Sequence, residues 1–138
     1  MSNERAIRLD WMGQGLRFSG GGTVPGTPAI VIDGDGDAGP SPMLALLLAA
    51  AGCSGSDVVL ILQKMRVTLR SLRVDVRGVR REEHPRRYTE ITFGFALDGD
   101  GLDDAKAERA VSLSLEKYCS VVHSLRPDIT IRHEITIG

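Results

Sequence analysis

Two thiols and the ionisable side chains spaced around them are the groups in this chain that could do chemistry. Cys53 and Cys119 are its 2 cysteines. Cys53 sits in Ala51-Gly52-Cys53-Ser54-Gly55-Ser56-Asp57, with the carboxylate four positions on. Cys119 has Glu116 three positions before it and His123 four after. On a helix those spacings share a face, so Cys53 faces with Asp57, and Glu116, Cys119 and His123 form one stripe. The chemistry on offer is that of a thiolate. A carboxylate beside a thiol raises its pKa, so Asp57 does not activate Cys53 by itself and a cation must be supplied. A histidine can favour the thiolate, which is the use His123 would have. Free cysteines also serve as small buried hydrophobes, and the pattern alone leaves both readings open. A cysteine protease fits poorly, because nothing marks a base or an oxyanion hole.

The elements that must position these thiols follow from the apolar pattern. Ser41-Pro42 opens the longest apolar run: serine suits an N-cap and proline the first helical position. This helix runs toward Met65-Arg66, with Lys64 and Arg66 favouring the negative end of its dipole. Gly52 and Gly55 each weaken it by roughly 1 kcal/mol relative to alanine. Close approach of another helix, or room beside the sulfur, would account for them. A second helix is expected from about Asp103 to Leu125, on the recurrence of Ala107, Ala110, Val111, Ser114, Leu115, Tyr118, Val121, Val122 and Leu125. Arg126-Pro127 stops it.

Strands fill the remainder. Residues 4–11 alternate charge with bulk and read as a half-buried strand. Residues 16–19 form a second, ended by Gly20-Gly21-Gly22, and residues 29–33 a third. Residues 67–77 and 88–97 make a long hairpin around a charged bend at 80–87, and residues 129–137 form a last strand. The order β-β-β-α-β-β-α-β is an α+β pattern with two long core helices, read as a single domain over 1–138. The loop Gly34-Asp35-Gly36-Asp37-Ala38-Gly39 lacks the register and closing Glu of a calcium loop. The triple glycine lacks the spacing and lysine of a phosphate cradle.

Composition narrows the function classes. Net charge is −1, from 17 Lys and Arg against 18 Asp and Glu, so no global field draws the chain to nucleic acid or membrane. Aromatic residues make up 4%, which leaves little for base stacking. No apolar segment follows the charged start, so no leader is expected, and the short apolar run suits a core helix better than a membrane span. A cytoplasmic location is expected. There, two cysteines do not suggest a structural disulfide, and they are too few for a paired Cys-x-x-Cys zinc site.

Three segments carry a resemblance. Ser41-Pro42-Met43, the apolar run, Ala51-Gly52-Cys53 and Asp57-Val58-Val59 resemble the first-helix signature of OsmC/Ohr-like proteins. Ala110 to Val121, around Tyr118-Cys119, is similar to the second cysteine helix of that family, and His84 to Ile91 to its central hairpin. The resemblance implies an intertwined homodimer with the long helices at its centre. It also implies reduction of organic hydroperoxides in oxidative-stress defence, without metal or bound cofactor. Cys53 would then be the attacking thiolate and Cys119 the resolving cysteine, and an external dithiol would reopen their disulfide. The family places an arginine and a glutamate near the attacking cysteine. Arg17 is the candidate arginine, with Arg5 and Arg8 as alternatives. The glutamate usually follows the helix start by one or two residues, where this chain has Met43 and Leu44. Asp57, Glu116 and His123 are the remaining supporting candidates. The alternative reading is a family-scaffold dimer that binds a small apolar ligand or acts in stress responses without robust peroxidase activity.

Overall fold

The computed structural model describes residues 3–138; Met1 and Ser2, part of the charged opening, lie outside them. The chain divides into two compact units, one up to Leu46 and one from Leu47 to Gly138.

The first unit is an antiparallel meander of β1 (Ile7–Trp11), β2 (Arg17–Gly22) and β3 (Ile30–Asp33), in that order. Two expectations change here. The glycines do not end β2 but belong to it: Gly20 pairs with Leu9 on one side and Ile30 on the other. A Cβ on Gly20 would stand 2.5 Å from the Arg8 carbonyl oxygen, so the close strand approach requires glycine. And β1 is not half-buried. All five of its residues are exposed, Ile7 at 72% and Trp11 at 60%, because its apolar alternation has no covering layer within this unit.

The loop after β3 is organised by one buried carboxylate. Asp33 accepts backbone N–H bonds from Asp35 (2.9 Å), Asp37 (3.3 Å) and Ala38 (2.9 Å). These bonds, Ala38 first and then Asp35, hold Asp33 below the usual carboxylate value against the opposing effect of burial. The aspartate-rich loop is thus a turn wrapped around its own anchor.

The helix α1 (Pro42–Lys64) starts where Ser41 caps it, its Oγ accepting from the Leu44 N–H at 3.3 Å. It ends in a Schellman closure. Val67 N–H donates to Leu62 and Arg66 N–H to Gln63, both at 3.0 Å. Arg66 does not extend the last turn; it takes the left-handed capping position, φ 63°, that glycine usually fills.

In the second unit, β4 (Thr68–Arg80) and β5 (Tyr88–Asp100) form the expected hairpin, longer than its apolar stretches, and β6 (Thr130–Ile137) joins β5 in parallel. The core is built on β5. Ile91, Phe93, Phe95 and Leu97 are buried on one face, and the Phe93 and Phe95 rings stack with centroids 6.2 Å apart. Ala50, Val58 and Leu62 of α1 and Ala107, Ala110 and Val111 of α2 (Asp104–Leu113) are buried with them. Gly55 is buried toward β4, where a Cβ would meet Val74 at 3.6 Å and Leu72 at 3.9 Å, whereas Gly52 faces outward with nothing within 4 Å. Three of the sheet's arginines are ion-paired: Arg70 forks onto Asp98 and also reaches Asp100, Arg132 meets Glu90, and Arg77 faces Glu134 at 3.7 Å.

The second helix is not continuous. After α2 the backbone makes a π turn over Ser114–Tyr118, Cys119 becomes extended (φ −69°, ψ 102°), and a short α3 (Ser120–His123) follows. The wider turn is closed by the Cys119 N–H, which donates to the Ser114 carbonyl at 2.7 Å. An apolar spacing that continues through both halves hides this break.

Candidate active site

Cys53 lies on α1 one turn before Asp57, and the elbow after the π turn brings Cys119 to them. One ligand-type atom from each (the two sulfurs and an Asp57 carboxylate oxygen) all lie within 4.8 Å of one another. Both thiols are free. They differ in exposure: Cys53 is half-buried and Cys119 fully buried.

That difference sets their chemistry. Burial pushes the Cys119 thiol up to about 11; the Val122 amide pulls it back, while Cys53 and then Asp57 push it further up. Cys119 is therefore a thiol at neutral pH, shielded from solvent, beside a sulfur that solvent can reach. The arrangement suits an attacking and a resolving cysteine. It requires only that the first sulfur be oxidised for the second to bond to it.

A residue not singled out as functional from the sequence completes the group. Ser114 is fully buried, and its hydroxyl donates to Asp57 Oδ2 at 2.9 Å. The π turn that begins at Ser114 thus fixes the carboxylate as well as carrying Cys119 into place. The available signal was a serine at a core position of an otherwise apolar stripe.

The Glu116–Cys119–His123 stripe does not form. It assumed a regular helix, and the π turn with the extended Cys119 changes the phase on both sides. Glu116 and His123 are exposed, and neither belongs to the cluster. Arg17, in the first unit, is ion-paired: its Nε stands 3.5 Å from Asp33 and its guanidinium donates to Asp37 at 2.8 Å. Two carboxylates therefore hold the Arg17 guanidinium, Asp33 at the end of β3 and Asp37 in the loop after it.

Comparison with known proteins places this geometry in a family. The profile for OsmC-like protein matches residues 34–134, both cysteine segments included. The chain belongs to the OsmC-like family. It is 44% identical over 130 residues to protein YhfA of Escherichia coli K12, covering 94% of this chain and 96% of YhfA. A crystal structure of a hypothetical protein from Aquifex aeolicus VF5 superposes with a TM-score of 0.84 at 29% identity, covering 99% of each chain. The organic hydroperoxide resistance protein OhrB of Bacillus subtilis shares the fold, with a TM-score of 0.63 at 15% identity over 96% of this chain and 98% of OhrB. The α+β architecture is thus the OsmC-like one.

Proposed function

We propose that this OsmC-like protein is a thiol-dependent peroxidase that reduces organic hydroperoxides. One observation carries the reading: a solvent-reachable and a buried thiol, both free, whose sulfurs lie within 4.8 Å on separate elements. The Cys53 thiolate attacks the distal peroxide oxygen. The O–O bond breaks, Cys53 becomes a sulfenic acid, and the alkoxide leaves as an alcohol after taking a proton. Cys119 then bonds to the Cys53 sulfur and loses its thiol proton as hydroxide departs, so water leaves and a disulfide remains. An external dithiol reduces that disulfide, and no bound cofactor enters the cycle.

Arg17, paired with Asp33 and Asp37, is the proposed cation for the Cys53 thiolate. Asp57 is the proposed relay that passes the Cys119 thiol proton to the departing hydroxide. Glu116 and His123 are given no role. A cytoplasmic homodimer is the proposed assembly. The exposed Leu48 (60%) and Leu60 (57%) of α1 support it as apolar surface that a second copy would cover.

The test is consumption of cumene hydroperoxide and hydrogen peroxide with dithiothreitol, comparing wild type with Cys53→Ser and Cys119→Ser. The reading expects loss in Cys53→Ser and preference for the organic substrate. Turnover that survives Cys53→Ser removes the nucleophile. Met43 and Leu44, where the family usually has an acid, favour the second reading: a family-scaffold dimer binding a small apolar ligand. Wild type that consumes no peroxide above background would select it.

A further inference from the structure

The cluster has a capacity separate from peroxide chemistry. We propose that in its reduced state it binds one thiophilic divalent cation of the zinc class, through Cys53 Sγ, Cys119 Sγ and an Asp57 carboxylate oxygen.

The donor geometry is close to what the ion needs. Tetrahedral zinc, with sulfur at ~2.3 Å and oxygen at ~2.0–2.2 Å, sets its donors about 3.5–3.8 Å apart. The three atoms here already lie within 4.8 Å of one another, so closing onto an ion takes a shift of about 1 Å or less. Cys53 and Asp57, one turn apart on α1, form a rigid chelating pair, and Cys119 approaches from a different element. The Ser114 hydroxyl holds Asp57 through Oδ2 at 2.9 Å, the kind of outer contact that orients a ligating carboxylate. Three protein donors leave a fourth position for water or a small thiol.

One of the three donors also faces a cavity. A cavity of about 460 Å³ opens beside Asp57 and is lined as well by Lys64, Arg109 and Tyr118. Two thiolates and a carboxylate around a dication leave one surplus negative charge, and the cationic Lys64 and Arg109 share the cavity with Asp57. Binding exchanges two thiol protons for the ion and involves no change of oxidation state. A Cys53–Cys119 disulfide has no thiolate to offer, so ion occupancy and disulfide exclude each other. The inference stands on the donor geometry and does not require that the protein reduce peroxide.

The test titrates the full reduced chain anaerobically with cadmium, following the ultraviolet thiolate-to-metal band, and with zinc against a chromophoric chelator. The expected result is saturation at one ion per chain. Asp57→Asn should weaken binding tenfold or more, and Cys53→Ser and Cys119→Ser should abolish the two-thiolate band. Alkylating Cys53 in the folded wild-type protein should also abolish it, which needs no variant to fold. The proposal is overturned by absence of the band at stoichiometric cadmium, by a band that survives Cys53 alkylation, or by unchanged affinity in Asp57→Asn. Metal binding with no peroxide turnover would leave this inference standing and remove the peroxidase; the converse would do the opposite.

Discussion

Cys119 should make the protein lose stability in alkali in a way that its removal abolishes. Burial raises the thiol from 9.0 to about 11 in the folded chain. A raised folded-state pKa gives stability that is fully present below the unfolded value and is lost as pH climbs through the folded one. The window here therefore runs from about 9 to about 11. Two pKa units amount to about 3 kcal/mol over the whole window. At about pH 10 the unfolded thiol is about nine-tenths ionised and the folded one about one-tenth, so about 1 kcal/mol should be gone. The assay is urea denaturation of reduced wild type and Cys119→Ala at neutral pH and at about pH 10. Tyrosines and lysines titrate in both proteins and cancel in the difference. Wild type should lose about 1 kcal/mol more than the variant between the two pH values. Equal losses would mean that Cys119 titrates alike in the folded and unfolded chains, and the argument from its burial would fail.

Three further outcomes follow from the same packing. Ser114→Ala removes the donor to Asp57 and should lower stability in urea melts by about 1 kcal/mol; no change would place the Ser114–Asp57 bond among contacts without net effect. Gly55→Ala should stabilise the fold by roughly 0.5–1 kcal/mol, since its new Cβ finds ordinary contacts with Val74 and Leu72; destabilisation would show that α1 lies closer to β4 than described. Glu108 of α2 is held below its ordinary value, first by His133 of β6 and then by Ser112. The stability from this lowered pKa is present above about 4.5 and lost as pH falls through the folded value, so acid titration of wild type should be steeper there than that of Glu108→Gln.

Much of the fold was legible because its elements announce themselves locally. Ser41-Pro42 marks the start of α1, the alternation of Leu72, Val74 and Val76 marks β4, and Arg126-Pro127 marks the end of the helical region. What the sequence hid is the π turn at Ser114–Tyr118, because the apolar residues keep helical spacing through it while the backbone admits one more residue per turn. That turn decides the site. It separates Cys119 from Glu116 and His123, brings it to Cys53 and Asp57, and buries Ser114 against the carboxylate. The carboxylates that pair with Arg17 were hidden for a different reason. The family resemblance pointed to the start of α1, and the carboxylates come from Asp33, the end of a strand, and Asp37, in a loop read only as a turn.

The central claim is that Cys53 and Cys119 form one redox pair. One equivalent of cumene hydroperoxide, added to the reduced protein, tests it through thiol titration and peptide mapping. The account predicts that both thiols disappear into a single Cys53–Cys119 disulfide, and that Cys119→Ser stops at a dimedone-trappable sulfenic acid on Cys53. Two thiols still free after that addition would contradict it.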